Sequence, residues 1–276
     1  MIEFRGVSKV FADGTRAVDA FTLTIPARQT TVFVGSSGCG KTTLLRMINR
    51  MVAPSSGEVR IDGVDVSATN PVQLRRSIGY VMQNAGLLPH FTVADNIATV
   101  PVLRGMPRRK ARAQALELLD RVGLDRALAT RHPAQLSGGQ QQRVGVARAL
   151  AADPDILLMD EPFGAVDPIV RAELQQELIR LQRELDKTIV FVTHDIDEAF
   201  LLGDQVVILR PGAQIAQRGS PSEIIEAPGD EFVASFIGTA QGKRAMTIKR
   251  TPRGDVLVDA QGRTQGVLVP GTGEPR

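Results

Sequence analysis

The sequence predicts an α/β protein with a mostly parallel β-sheet and helices on its faces. Three apolar stretches have the pattern of buried strands: DILLMD, TIVFVT and QVVILR. Helical patterns separate them, and the longest is PIVRAELQQELIRLQREL. Such alternation is typical of parallel sheets, because two parallel strands need a long crossover connection.

The first sixty residues predict strands of a different kind. IEFRGVSKVF and DAFTLTI alternate loosely between polar and apolar residues, and Asp13-Gly14 between them is a turn signal. A further short strand is predicted at EVRIDG. We therefore expect short strands ahead of the parallel part.

The middle third, about residues 84–150, is predicted to be mostly helical. Residues 239–276 differ from the rest, since they are rich in Gly, Thr and Arg and contain the short β-like runs MTIKR and VLVDA. They predict a small hairpin or a loosely held tail. The expected organisation is thus one domain over residues 1–238 and a short tail over residues 239–276.

Composition excludes several classes of protein. The chain of 276 residues carries 33 basic and 30 acidic side chains, a net charge of +3, which is too balanced to demand a nucleic-acid partner. Cys39 is the only cysteine, so an internal disulfide is impossible and a reducing, cytosolic setting fits. No apolar run approaches the roughly 18 residues of a membrane span, so we expect any membrane role to require a partner.

The stretch GSSGCGKTT lies between the buried strand TTVFVG and a helical pattern over residues 42–51, in which Leu45, Ile48 and Met51 share one face. Glycines let the backbone curl so that N–H groups point at anionic oxygens, and the helix adds its positive end. Lys41 supplies a cation for phosphates, and the Thr42 hydroxyl is a Mg²⁺ ligand. The pattern predicts a P-loop whose nucleotide-binding residues are Gly35, Ser36, Ser37, Gly38, Cys39, Gly40, Lys41, Thr42 and Thr43.

Two further stretches narrow the chemistry. ILLMDEP is a buried strand that ends in Asp160, a candidate Mg²⁺ ligand, and Glu161, a candidate base for an attacking water. LSGGQQQR opens a helix at Ser137, which makes a second anion-binding helix N-terminus.

With these motifs, residues 1–238 resemble the ATP-binding-cassette (ABC) ATPases, of which LSGGQ is the signature. The resemblance implies a P-loop NTPase of ABC type, with a mostly parallel core, an antiparallel β subdomain and a helical subdomain at about residues 84–150. It implies an enzyme that hydrolyses ATP with Mg²⁺. It also implies a homodimer in which the P-loop of each subunit faces the signature of the other.

The resemblance assigns roles to individual residues. Phe11 is expected to stack on adenine, with Val18 beside the nucleotide, and Gln83 to contact Mg²⁺ and water. Glu161, His194 and Lys41 are the expected catalytic residues, and Thr42, Gln83 and Asp160 the expected metal ligands. The residues expected to contact the nucleotide of the other subunit or to lie at the dimer seam are Ser137, Gly138, Gly139, Gln140 and Asp167.

A narrower resemblance concerns LRRSIGYVMQNAGLLPHFTVADNIATVP, MDEPFGAVDPIVR and VTHDIDEAFLLGD, which look like the ATPases of bacterial quaternary-amine importers. Those systems take up glycine betaine, choline, carnitine or proline betaine as osmoprotectants. The resemblance implies a peripheral subunit on the cytoplasmic face of the membrane. Its partners are then a second ATPase subunit, integral-membrane permease subunits and, indirectly, a substrate-binding protein.

Two alternatives stay open at this point. One is an ABC ATPase for another substrate, such as an amino acid, metal, sulfonate or lipid, because substrate choice resides in the permease and binding protein. The other is an ABC ATPase that does not transport, although such members usually carry two cassettes or a long coiled-coil insertion.

Overall fold

The fold is described from a computed structural model, which covers residues 1–164, 168–238, 246–251, 254–259 and 262–268. The described residues form two compact units, one within Met1–Pro221 and the other within Ser222–Arg276. We predicted a division at residue 238, and the status of residues 239–276 as a separate tail stays a prediction.

An antiparallel sheet of order β2-β1-β4-β5 begins the first unit. Its strands pair with Ile2 opposite both Ile25 and Ile61, so apolar side chains of three strands meet on one face. The other face is largely exposed, which explains the loose alternation in the sequence. The strands are β1 (Ile2–Val10), β2 (Arg16–Ile25), β4 (Ser56–Ile61) and β5 (Val64–Asp65).

The second sheet, of order β10-β9-β3-β8-β7-β6, is parallel from β9 to β6. Strand β10 pairs antiparallel to β9 at one edge, and the sequence patterns did not predict it. The α/β class with a mostly parallel sheet is confirmed. The strands are β3 (Thr30–Gly35), β6 (Ile78–Val81), β7 (Ile156–Asp160), β8 (Thr188–Thr193), β9 (Gln205–Arg210) and β10 (Gln214–Gly219).

Helix α1 (Lys41–Ile48) contributes Leu44, Leu45, Met47 and Ile48 to a core shared with both sheets. The prediction that Met51 lies on its apolar face is wrong, because the helix ends at Ile48 and Met51 is 53% exposed. Arg50 adopts a left-handed conformation, with φ of 56°, and turns the chain out of the helix.

Helices dominate the middle of the chain, where α3 packs against both α4 and α5. Helix α4 buries Ala111, Ala115, Leu118 and Leu119 and exposes its basic face, as its amphipathic pattern predicts. Residues 84–92 form a loop ahead of α3. The helices are α2 (Pro71–Ser77), α3 (Val93–Leu103), α4 (Arg108–Arg121) and α5 (Gly138–Leu150), with short 3₁₀ turns at Val66–Ala68, Arg126–Thr130 and Pro133–Gln135.

Two helices flank β8 in sequence, α6 (Pro168–Leu185) and α7 (Ile196–Leu202), and a 3₁₀ turn at Pro211–Ala213 joins β9 to β10. No helix among the described residues has both the length and the apolar character that crossing a membrane requires.

The C-terminal region begins with α8 (Pro221–Glu226) and α9 (Glu231–Phe236) and continues with three antiparallel strands. For residues 239–276 we predicted a small hairpin or a loosely held tail. The predicted runs MTIKR and VLVDA fall in β11 (Met246–Thr251) and β12 (Gly254–Asp259), and β13 (Thr264–Val267) adds a third strand.

Candidate functional site

Several of the predicted functional residues lie close together where four neighbouring parallel strands end. Strand β3 ends at Gly35, where the glycine-rich loop starts, and β7 ends at Asp160; His194 follows β8, and Gln83 lies two residues after β6. Because β3, β8, β7 and β6 are adjacent in the sheet, their carboxyl ends lie at one edge. This edge is where ligands bind in open α/β sheets.

Two glycines of the loop after β3 are required by their surroundings. Gly40, just before α1, has φ of 110°, and a Cβ there would lie 2.4 Å from the carbonyl oxygen of Ala17. A Cβ on Gly35 would lie 2.4 Å from the carbonyl oxygen of Leu209. The loop thus passes so close to the backbone of β2 and β9 that side chains are excluded. It delivers the N-terminus of α1, whose first N–H groups lack partners within the helix.

Replacement of Gly40 by Ala is expected to destabilise the fold more than replacement of Gly38. Both glycines have positive φ, which costs an L-residue about 1–2 kcal/mol. Only Gly40 has backbone within 4 Å of the added Cβ. The collision is expected to lower the free energy of unfolding by a further ~1–3 kcal/mol, measured by urea denaturation without nucleotide. Equal unfolding midpoints for the two variants would contradict this packing.

A polar cavity of about 300 Å³ opens beside this loop. Lys41 is 95% buried at its side, and its Nζ donates to the carbonyl oxygens of Gly35 at 2.8 Å and Ser36 at 2.9 Å. A buried ammonium needs such acceptors, and it places a positive charge at the cavity. The lining comprises Ala17, Ser37, Gly38, Gly40, Lys41, Thr42, Thr43, Gln83 and Glu161.

Asp160 is buried and accepts hydrogen bonds from three sides. The Thr42 hydroxyl donates to Oδ1 at 2.7 Å, and Tyr80 donates to Oδ2 at 3.1 Å. The guanidinium of Arg46 lies 3.4 Å from the same Oδ2. Burial raises the pKa of Tyr80, so its hydroxyl stays protonated and remains a donor. The carboxylate is therefore held in one orientation beside Thr42.

Sequence reasoning missed Tyr80 and Arg46. A signal existed for Arg46, since it follows Thr42 by four residues and so shares its face of α1. Tyr80 gave no local signal, because its approach to Asp160 depends on β6 pairing with β7.

Glu161 and His194 contact each other at the end of the sheet. The Nδ1 of His194 lies 3.1 Å from Oε2 of Glu161, whose carboxylate also lines the cavity. Glu161 has φ of 44°, an unfavourable left-handed conformation for this residue type, and its N–H donates to the carbonyl oxygen of Val192. Such conformations cluster at functional sites, where the surroundings enforce them. The arrangement brings a carboxylate and an imidazole to one side of the cavity.

Two residues predicted at the nucleotide are placed differently from the rest. Phe11 is at the tip of the β1–β2 hairpin, 40% exposed, with the Lys9 ammonium 5.3 Å from its ring centroid. We predicted Val18 beside the nucleotide, but its side chain is fully buried in the core, and Ala17 lines the cavity instead. Side chains alternate along a strand, so neighbouring residues of β2 face opposite sides.

Cys39 is buried beneath the loop, as a small filler would be. Its Sγ lies 3.9 Å from the Nζ of Lys41.

The residues Ser137 to Gln140 begin α5 and do not line the cavity of their own chain. Ser137 Oγ accepts from the N–H of Gln140 at 3.2 Å, and Gln140 Oε1 accepts from the N–H of Ser137 at 3.0 Å. This reciprocal cap leaves Ser137 and Gly138 on the surface, where another molecule has access to the helix N-terminus. Asp167, predicted at a dimer seam, lies outside the described residues.

A glycine-rich loop that begins a helix, a buried lysine at its cavity and a hydroxyl–carboxylate pair beside it define a P-loop nucleotide-binding protein. Residues 18–164 match the model of the ABC transporter family. A dimeric ATP-binding cassette solved in a post-hydrolysis state with ADP and Pi superposes with a TM-score of 0.73 and 34% identity, over 80% of this chain and 99% of that one. The chain belongs to the ABC transporter family and is an ATP-binding protein of ABC type, as its motifs predicted.

Curated relatives are more similar still. The glycine betaine/carnitine/choline transport ATP-binding protein OpuCA of Bacillus subtilis is 52% identical over 238 residues, which are 86% of this chain and 62% of that protein. The glycine betaine uptake system ATP-binding protein YehX of Escherichia coli is 48% identical over 90% of this chain and 80% of its own length. The chain thus spans less than two-thirds of the length of OpuCA and four-fifths of the length of YehX.

Proposed function

We propose that this chain is the ATP-hydrolysing subunit of a membrane importer for quaternary-amine osmoprotectants. The observation that carries the proposal is its 52% identity over 238 residues to a transport protein named for glycine betaine, carnitine and choline. YehX, whose name also includes glycine betaine uptake, supports the same substrate class. The edge of the sheet where β3, β8, β7 and β6 end carries the lysine, carboxylates and histidine that we propose for ATP hydrolysis.

Nucleotide binding rests on the charge and the backbone of the P-loop. Lys41 and the N-terminus of α1 place positive potential on one side of the cavity, which suits the β- and γ-phosphates of ATP. Phe11 is proposed to stack on the adenine ring from its exposed place on the hairpin.

Oxygen donors beside the P-loop fit a magnesium ion. The Thr42 hydroxyl lies 2.7 Å from the Asp160 carboxylate, and Gln83 lines the same cavity, so a hard oxygen set is assembled. We propose these three residues as its ligands. When bound, the ion supplies charge neutralisation at the phosphates.

Hydrolysis is proposed to use Glu161 as the base. Its carboxylate accepts a proton from a water as the water oxygen attacks the terminal phosphorus; the bond to the β–γ bridging oxygen breaks and ADP leaves. His194, at 3.1 Å, holds the carboxylate in place and is proposed to contact the γ-phosphate.

A second copy of the chain is the proposed partner at the nucleotide. Its residues Ser137 to Gln140 are proposed to cover the γ-phosphate with the N-terminus of its α5. The dimeric state of the cassette that superposes on this chain supports the arrangement.

The permease is proposed to bind at the loop of residues 84–92. Asn96, fully buried, pins this loop through bonds from Nδ2 to the carbonyl oxygens of Leu88, Phe91 and Thr92. The loop therefore presents a fixed surface next to Gln83. We propose that the chain acts there as a peripheral subunit on the cytoplasmic face of the membrane, served indirectly by a substrate-binding protein.

Quaternary amines are expected to stimulate ATP hydrolysis by the assembled transporter. The chain is purified with its permease and binding protein in lipid nanodiscs, and phosphate release is measured with and without glycine betaine, choline or carnitine. We expect roughly fivefold stimulation or more, as a typical coupling energy gives. Ethanolamine, which lacks the quaternary centre, serves as the control. Stimulation by a metal, sulfonate or amino acid instead would assign another substrate class.

A further inference from the structure

We propose that Arg148 is a positioning residue, which fixes the segment Met82–Gly86 (the Gln83 loop) to helix α5. The position of Gln83 is thereby coupled to the N-terminus of that helix at Ser137–Gln140. The inference rests on the proposed ATPase function, and it adds a route by which the second subunit influences the cavity of the first.

The first observation is a pair of hydrogen bonds from the Arg148 guanidinium. Nη2 donates to the carbonyl oxygen of Ala85 at 2.6 Å, and Nη1 donates to that of Gly86 at 2.7 Å. These carbonyls lie two and three residues after Gln83. Burial lowers the pKa of the guanidinium from its ordinary value, as expected where it is taken out of water.

The loop is held on the other side of Gln83 as well. Nε2 of Gln142, a buried side chain of α5, donates to the carbonyl oxygen of Met82 at 3.3 Å. Between these two bonds the helix has Gly145, where a Cβ would lie 3.4 Å from the Cβ of Ala85. Residues 142, 145 and 148 are spaced by three and share one face of the helix. One face of α5 therefore holds the segment from Met82 to Gly86 by hydrogen bonds and close packing.

The backbone of the loop needs this support. Ala85 has φ of 47° and Gly86 has φ of 56°, so two successive residues are left-handed. For alanine this conformation is unfavourable by about 1–2 kcal/mol and persists only where the surroundings enforce it. Arg148 bonds the carbonyls of these same two residues. Without it, the loop is expected to relax and carry Gln83 out of the cavity lining.

Helix α5 connects Ser137–Gln140 at its N-terminus to Arg148 near its C-terminus. Arg148 follows Gly138 by ten residues, about 15 Å along the axis, and a helix of that length moves as a rigid rod. A planar guanidinium on two carbonyls resists sliding better than a single bond does. Displacement of Ser137–Gln140 by a nucleotide of the second subunit therefore moves Gln83.

The test is a double-mutant cycle in the full chain. ATP hydrolysis and Mg-ATP affinity are measured for wild type, Arg148→Met, Gln83→Ala and the double variant. Arg143→Met is the matched control: Arg143 also lies on α5 and also bonds a main-chain carbonyl, that of Val122, together with Glu173, but it does not touch the Gln83 loop. Thermal unfolding of every variant reports its stability.

Arg148→Met is expected to lower kcat by about tenfold or more, as misplacement of an active-site group does, with KM for ATP within about twofold. The double variant is expected to be no slower than Gln83→Ala, because both changes act through one group. The control is expected to keep kcat near wild type. Multiplicative losses in the double variant, or an equal loss in Arg143→Met, would overturn the inference.

Arg148→Lys serves if the methionine variant fails to fold. It keeps the charge but loses the fork that bonds both carbonyls, so kcat is expected to fall with KM unchanged and again without further loss beside Gln83→Ala; full wild-type kcat overturns the proposal. If the wild-type chain does not hydrolyse ATP, the proposed function itself fails. The inference alone fails if wild type is active and the cycle is multiplicative.

Discussion

Glu161→Gln is expected to bind Mg-ATP with nearly wild-type affinity and to hydrolyse it about 10²–10⁴-fold more slowly. The amide has the shape of the carboxylate but cannot accept the proton of the attacking water. It leaves the P-loop untouched, and its oxygen keeps a polar contact for His194, which lies 3.1 Å from Oε2. Phosphate release at saturating ATP and a fluorescent-nucleotide titration measure the two quantities separately.

The same variant is expected to accumulate as a dimer. If ATP bridges the P-loop of one copy and Ser137–Gln140 of the other, blocked hydrolysis preserves the bridge, and light scattering with Mg-ATP should report twice the monomer mass of 29.7 kDa. Glu173→Gln is the control, because Glu173 bonds Arg143 rather than a group at the cavity. Wild-type turnover in Glu161→Gln would remove Glu161 from its proposed role, and a monomer at every ATP concentration would argue against the shared site.

Lys41→Ala is expected to lose ATP binding. Lys41 is 95% buried beside the cavity, and removing one member of a buried charged pair typically costs about 2–5 kcal/mol, so affinity is expected to fall at least thirtyfold. Hydrolysis at sub-saturating ATP falls with it. Isothermal titration calorimetry with Mg-ATP measures the loss.

Lys187→Ala controls for the loss of a largely buried lysine that lies away from the cavity, since the Lys187 side chain is 12% exposed. Lys187 lies 2.8 Å from Asp153 and does not line the cavity. We expect its nucleotide affinity to be that of the wild type. Comparable affinity in Lys41→Ala would place the phosphates away from the P-loop lysine.

The sequence was most informative where a site is built from consecutive residues of the chain. The P-loop, Gly35 to Thr43, directly follows a strand and leads directly into a helix, so the spacing of its residues alone predicts the phosphate-binding geometry. Asp160 likewise ends an apolar strand, and Glu161 follows it directly, so the sequence alone indicates that both carboxylates lie at the end of a buried strand. The fold class followed from the same alternation of strand and helix.

The sequence was less informative where tertiary pairing decides. Val18 is buried in the core whereas Ala17 lines the cavity, and local alternation does not fix which of two neighbours faces the cavity in a strand whose pairing with β1 shifts register. Strand β10 was missed because QIAQRG has few apolar residues, which an edge strand tolerates. Arg148 lies in a helix whose pattern is ordinary, and only its contact with residues 82–86 gives it a proposed role.

The position of β8 has a consequence for how the protein is made. β8 lies between β3 and β7 in the sheet but follows both in the chain, so the Thr42–Asp160 hydrogen bond spans a gap that closes only when Thr193 has been synthesised. A nascent chain that ends before β8 leaves β3 without either of its sheet neighbours, β8 and β9, and leaves the edge of β7 that faces β8 unpaired. The nucleotide therefore cannot stabilise the folding chain by binding until late in translation. Until then the ribosome-bound chain exposes strand edges and apolar surface, which makes it prone to aggregation.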